Sequence, residues 1–501
     1  MVDRLFPNPT YAAHVLAPSF AEAKERFFAP MIAANKAHVL MLLKQGIINQ
    51  ECAQALLAAL LQIEAEGPEA MDYQPGVEDL YFCAERRLIA LAGAEAGGNL
   101  QLARSRNDLG VALGRLALRD ELLGTLERLN HFRGTLLAFS REHLETVMPG
   151  YTHTQPAQPI TLAHYLAGVL SFMERDATRL KAAYATTNCS PLGAAAFTTS
   201  GFPVDRRYVA ELLGFAGPME SSYDAIGASD HMTEAVAALL TMAANLSRFT
   251  KDLLFWATRE AGAIRIGDDF VQISSIMPQK RNPVVLEHLR ARLGHVYGHV
   301  LSVLTLSHNV PYGDTQDIED EIYEPLFGAF EATDAVLELY AAVFESLEVD
   351  RAHLLARSAE GFTTATELAD TLVREKGLAF RTAHAIVARL VKMATAQGLS
   401  PNQVGVAILE EAALAVTGHP LGLTEEALHR ALDPIHFVQV RRVMGGPAPE
   451  ATAAVLANVE EALERDRSWL DGEKERLALA RAVLDKGGHR QGDPGELLSH
   501  R

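Results

Sequence analysis

The chain is poor in cysteine, in positive charge and in long apolar runs, and each scarcity removes a class of protein. Only three cysteines, Cys52, Cys83 and Cys189, occur in 501 residues. They show neither CxxC nor ligand-like spacing, so no disulfide framework and no zinc site is expected, and a reducing compartment suits them. Lys plus Arg number 45 against 63 Asp plus Glu, a formal charge of −18, which argues against nucleic acid as a partner. The longest apolar stretches, such as Ala235 to Leu240, fall well short of the ~20 residues a bilayer crossing needs. The opening MVDRLFPNPTY puts Asp3 and Arg4 before any apolar run and lacks the layout of a secretory signal. A soluble, cytoplasmic protein is the expectation.

Proline is absent from long windows: between Pro75 and Pro149, Pro159 and Pro191, Pro218 and Pro278, Pro283 and Pro311, and Pro325 and Pro401. Those windows are open to uninterrupted helix. In one of them Met232, Val236, Leu239, Ala243, Leu246, Thr250, Leu253 and Ala257 follow one another by fours and threes, a heptad-like stripe on one long helix. With no sustained alternation of apolar and polar residues, the fold class read from this pattern is all-α with a central bundle. Punctuation by Gly, Pro and Asp divides the chain into an N-terminal helical region (1–108), a central helical region (109–360), a C-terminal helical region (361–486) and a tail (487–501) expected to be disordered. A helix too long for one subunit's core finds further burial in other subunits, so an oligomer is expected.

Three polar stretches lie at the ends of these windows. The first is Ser105-Arg106-Asn107-Asp108, where Arg106 offers a fork for a carboxylate. The second is Gly150 to Pro159, GYTHTQPAQP, in which Thr152 and Gln155 can donate to similar oxygens and His153 is a candidate proton carrier. The third is Ser274-Ser275-Ile276-Met277-Pro278-Gln279-Lys280-Arg281-Asn282-Pro283. Two prolines bracket it, and the chain is expected to re-enter a helix at Asn282 or Pro283, whose N-terminus would attract an anion. Each stretch alone is also compatible with an ordinary cap or turn.

Together they resemble the fumarase and aspartase superfamily, most closely its argininosuccinate lyase branch. The last stretch is similar to that superfamily's GSSxMPxKxNP motif, the first to the branch's arginine-containing motif and the second to GYTHxQxAQP. Glu78-Asp79, Pro191-Leu192-Gly193, Phe202 to Arg206, Ala365 to Asp370 and Gly445 to Pro449 add ordered matches. The resemblance implies a three-domain, all-α, fumarase/aspartase-like fold and a homotetramer with a twenty-helix core, each site built from three subunits. It implies no metal and no cofactor. The implied reaction is reversible elimination of fumarate from a succinyl or N-substituted aspartate group.

Carried over by motif position, Ser274 is the base that removes the Cβ proton, Lys280 and Asn282 stabilise the dianion that forms, and His153 pairs with Glu287. Ser105, Arg106, Asn107, Thr152, Gln155, Ser275, Met277, Tyr312, Gln316 and Glu319 fall at substrate-binding positions. Chemistry supports the arrangement: a proton beside a carboxylate is very weakly acidic, so fixed donors must meet the charge that develops when it leaves.

The departures concentrate on one half of the substrate. Gln101 and Leu102 replace a histidine and threonine of the branch, Tyr81 a histidine, Ile273 a glycine, and Val284 the motif's aspartate. Aligned on Gln316, Glu319 stands where the branch has a lysine, and Glu220 where it often has asparagine. The succinyl side is nearly intact, whereas an acid on the amine side would repel the α-carboxylate of an arginine leaving group. The expected substrate is therefore an N-substituted aspartate whose amine portion is cationic or otherwise unlike arginine, and related lyases acting on ethylenediamine-disuccinate compounds show that the branch can host such substrates. An ordinary argininosuccinate lyase and an inactive paralogue remain the alternatives.

Overall fold

The computed structural model describes residues 6–74 and 76–489. The N-terminal part builds three main helices, α1 (Ala17–Lys44), α2 (Gln50–Glu66) and α3 (Leu80–Ala92). Side-chain oxygens of Asn49 and Asp79 cap the last two by accepting from Cys52 N–H and Phe82 N–H, both at 2.9 Å, which satisfies donors a helix start leaves unpaired. Then come α4 (Arg106–Glu142), the strands β1 (Val147–Thr152) and β2 (Gln155–Thr161), α5 (Leu162–Thr187) and α6 (Asp230–Trp256). Strands β3 (Gln272–Ile273) and β4 (Arg281–Asn282) precede α7 (Val284–Leu306) and α8 (Tyr323–Ser346). Short helices between Arg351 and Gln439 lead to α9 (Pro449–His489).

Helices α4 to α8 pack on one another as a bundle, so the all-α expectation holds. The stripe read from the sequence is its inner seam: Met232, Val236, Leu239, Ala243, Leu246, Thr250 and Leu253 are buried, and Ala257 packs against the same core. Tyr340 of α8 stacks between Phe132, at 4.9 Å, and Phe249, at 5.6 Å. Fully burying a ring of this kind contributes ~1.5–3 kcal/mol. Thr250 sits in this apolar setting without cost because its hydroxyl donates to Leu246 O at 2.9 Å. Helix α7 turns Val285, Leu289, Leu293, Val296, Val300 and Val303 inward and leaves Tyr297, Leu301 and Leu304 exposed on its other face.

Helices link the regions. Leu109, Ala112, Leu113 and Leu116 at the start of α4 join the N-terminal core, whereas Leu118 to Leu137 of the same helix join the bundle. Residues 361–486 also divide. Leu368 to Leu432 form a core of their own, but Leu456, Val459, Leu463 and Leu470 of α9 pack into the bundle and Leu484 into the N-terminal core. Arg133, fully buried in α4, meets Asp466 of α9 at 2.6 Å. Residues Gly445 to Pro449 break the run of helices, yet the apolar stripe that follows them matches a different core. The tail read from 487 begins inside α9, and residues 490–501 lie outside the described residues.

Candidate active site

Ser105 is the N-cap of α4, in a capping box with Asp108. That geometry aims the first turn outward, and Arg106 meets Asp79 at 2.9 Å and Glu78 at 3.4 Å. Its guanidinium also lies over the Phe82 ring, 4.7 Å from the centroid. Against partial burial, these carboxylates raise the guanidinium above its ordinary value. The Asn107 amide donates to Asp314, so the first stretch touches the segment that carries Tyr312, Gln316 and Glu319.

Glu319 points into this cluster. Burial first, and then a hydrogen bond and like charge from Asp314, push its carboxyl up to about 8, while Arg106 pulls the other way. The Gln316 amide lies 3.5 Å from Glu319 Oε2. Helix α4 makes room for the acid with a glycine, since a Cβ on Gly110 would stand 3.1 Å from Glu319 Oε1. One turn on, a Cβ on Gly114 would overlap the Tyr323 hydroxyl at 2.1 Å. Tyr312 donates its hydroxyl to Asp224, which pushes the phenol up to about 12.

The GYTHTQPAQP stretch is a β-hairpin and not a helix boundary. Pro149 faces Pro159 and Thr152 faces Gln155 across the ladder. Prolines at 149, 156 and 159 bar helix here. His153 (φ 52°) and Thr154 (φ 62°) form the tip, both in the left-handed region that a two-residue hairpin turn demands. Neither is glycine, a conformation costing ~1–2 kcal/mol per residue. The Thr154 hydroxyl donates to the His153 carbonyl at 2.6 Å. The imidazole is thus held out at an exposed tip between Thr152 and Gln155.

Ser274 opens a loop closed at its base by the β3–β4 ladder, Gln272 facing Asn282 and Ile273 facing Arg281. Asn282 is therefore a strand residue, and α7 starts at Val284 with Pro283 as a cap that offers no side-chain acceptor. The ladder has taken Asn282's backbone out of the helix start. The Ser274 hydroxyl oxygen accepts from Met277 N–H at 3.1 Å and Ile276 N–H at 3.4 Å. Ser275, Met277 and Lys280 are exposed, and Ile276 is 84% exposed. Glu287 lies exposed on the first turn of α7.

Within the chain, the Arg106–Asn107–Glu319 group is one cluster, the His153 tip a second and the Ser274 loop with Glu287 a third. Among the described residues no hydrogen bond or ion pair joins them. Sequence reasoning did not single out Asp314, Asp224 or Tyr223, although Asp314 sits within the stretch Tyr312 to Glu319; nor did it assign Asp108 a contact beyond its own helix. The departures at Tyr81 and Gln101 bond to each other: the Tyr81 hydroxyl donates to Gln101 Oε1 at 2.6 Å. Glu220 is exposed.

The chain matches the family described as Lyase over residues 20–298 and that described as Argininosuccinate lyase C-terminal over residues 362–439. It is 38% identical to argininosuccinate lyase 1 of Shouchella clausii (strain KSM-K16) over 482 residues, 96% of this chain and 97% of that protein. It is 39% identical to argininosuccinate lyase 2 of Agrobacterium fabrum (strain C58 / ATCC 33970) over 454 residues, 90% of each. Among solved structures, EDDS lyase in complex with formate superposes with a TM-score of 0.86 at 31% identity, covering 96% of this chain and 95% of that one.

Proposed function

The chain belongs to the argininosuccinate lyase branch of the fumarase/aspartase superfamily and is a carbon–nitrogen lyase that releases fumarate from an N-substituted aspartate; from that premise we propose that the amine it releases is cationic and is not arginine. One observation carries the reading. At the position where the branch has a lysine, Glu319 turns its carboxyl inward, beside Asp314 and Arg106. In its ionised form that carboxyl attracts an ammonium group and repels the α-carboxylate of arginine. EDDS lyase, a neighbour over nearly the whole chain, is named for a substrate other than argininosuccinate.

In this reading Ser274 takes the Cβ proton of the aspartate half, and Lys280, Asn282 and the loop amides meet the negative charge that builds on the adjacent carboxylate. Serine is a poor base in water, so its activation requires the exposed loop to close and exclude water around a cation. Arg106, Asn107, Ser105, Thr152 and Gln155 hold the succinyl carboxylates, and His153 with Glu287 orients groups or moves the leaving-group proton. The separation of the three clusters within one chain supports sites completed by other copies, hence a homotetramer, and the open face of α7 at Tyr297, Leu301 and Leu304 supports the same assembly. Three unpaired cysteines suit a cytoplasmic setting.

Argininosuccinate is the second reading, favoured by the names of the relatives at 38–39% identity. Fumarate release, followed by ultraviolet absorbance, from a panel holding argininosuccinate, N-(2-aminoethyl)aspartate and ethylenediamine-disuccinate tests both. Activity confined to argininosuccinate rejects the first.

A further inference from the structure

Two consecutive residues on the first turn of α4 hold two different loops. Asp108 is fully buried; its Oδ1 accepts from Ser105 N–H at 3.1 Å, and its Oδ2 accepts from Gly193 N–H at 2.9 Å and Ala195 N–H at 3.0 Å. Asn107, beside it, donates to Asp314. Arg206 grips the first loop from its other side, donating from Nε to Leu192 O at 3.0 Å. Ala195 sits there at φ 54°, a conformation that persists only where surroundings enforce it.

Two residues beyond Ala195 stands Phe197. Its carbonyl accepts from the Ser222 hydroxyl at 2.9 Å, and its ring lies 5.5 Å from that of Tyr223. Tyr223 in turn lies 5.7 Å from Tyr312 and donates its hydroxyl to Tyr312 O at 3.1 Å. Phe197 and Tyr223 are each 48% exposed and Tyr312 57%. Contacts and short stretches of chain therefore close a circuit from Asp108 through Ala195 and Phe197 to Tyr223, Tyr312 and Asp314, and back to Asn107. Its three aromatic members are each about half exposed and in successive ring contact, and the last of them, Tyr312, belongs to the segment that carries Glu319. Contiguous apolar surface of this sort marks a place that something covers, and the circuit includes the very segment read as the amine side. Ring faces suit methylene groups and, near them, an ammonium.

We propose that Phe197 and Tyr223 are specificity-determining residues for the leaving amine, forming with Tyr312 a wall against its carbon chain, and that Asp108 is the positioning residue that holds this wall to the helix carrying Arg106 and Asn107. The proposal rests on reading Tyr312 to Glu319 as the amine side of the site.

The reverse reaction separates the two halves, because fumarate and the amine are varied independently. With fumarate and ethylenediamine, Phe197→Ala and Tyr223→Ala raise the KM for the amine on the order of tenfold, with the KM for fumarate unchanged. Phe197→Tyr restores the wild-type value. Asp108→Asn shows the same split while its thermal unfolding stays cooperative, and the two ring variants, at exposed positions, keep the test open should Asp108→Asn not fold. An unchanged amine KM in both ring variants overturns the wall, and so does a parallel shift of both KM values. Should the wild type use arginine and not the diamine, the cationic-amine reading falls while the wall is still judged by the same split, read on the KM for arginine.

Discussion

The hydroxyl of Tyr81 lies 2.6 Å from Oε1 of Gln101, and both residues stand where the family pattern has something else. Burial raises the Tyr81 phenol far above its ordinary value, so it stays protonated and serves as the donor. Arg104 Nη2 also donates to Gln101 Oε1, at 3.3 Å. Two departures that satisfy one another inside a partly buried network form a matched replacement. The first prediction follows from this pairing. Tyr81→Phe and Gln101→Leu each lower stability by ~1–2 kcal/mol, and the double variant costs less than the sum by ~1 kcal/mol. Urea unfolding of the four proteins measures the cycle, and strict additivity would show that the pair is incidental.

Much of this architecture was legible in the sequence and some was not. The stripe from Met232 to Leu253 is periodic over a whole helix and can bury in one way, and Ser105 with Asp108 announces the start of α4 by local hydrogen bonding. The hairpin at Tyr151 is not legible in the sequence because its signal, two left-handed residues at His153 and Thr154, contains no glycine. Asn282, standing before Pro283, reads as a cap in the sequence, but β3 pairs with its backbone. The contacts of Asp108 with Gly193 and Ala195 bridge 85 and 87 positions, a distance over which sequence pattern carries no information.

Glu319 gives the second prediction, a pH dependence. Its carboxyl is raised to about 8 by burial and by Asp314, so it is neutral at pH 7 and becomes an anion as pH rises through 8. For a substrate with an ammonium group, kcat/KM should climb over that interval, and Glu319→Gln should flatten the climb. Stability runs the opposite way. The folded state keeps a proton that the unfolded state has lost above 4.5, so this group stabilises fully below 4.5 and loses its contribution as pH rises towards 8. Thermal melts should accordingly show Glu319→Gln gaining on the wild type between those values. Parallel melting curves across that range would contradict the inward placement of the acid.

The third prediction concerns the loop from Ser274 to Lys280. Ser274→Ala should abolish fumarate formation without altering the helical fold or the assembly, because among the described residues its hydroxyl meets only loop amides. Lys280→Met should lower kcat on the order of 10²–10³-fold, the usual cost of removing one fixed donor from a developing charge. Steady-state kinetics checks both. Turnover within tenfold of wild type in Ser274→Ala assigns the base elsewhere.

A fourth prediction tests the assembly. Light scattering should report a tetramer, and two inactive variants, His153→Asn and Ser274→Ala, should regain partial activity after mixed dissociation and reassembly. Mixed tetramers that remain dead would count against sites shared between subunits.

The acid at 319 is decisive, and the most direct measurement is the ratio of kcat/KM for N-(2-aminoethyl)aspartate to that for argininosuccinate, taken above pH 8 where the Glu319 carboxyl is ionised, in the wild type and in Glu319→Lys. The account predicts a ratio above one for the wild type, falling by on the order of tenfold or more in the variant as an attraction becomes a repulsion. A wild type that prefers argininosuccinate by about tenfold, with a ratio that Glu319→Lys leaves in place, would contradict it.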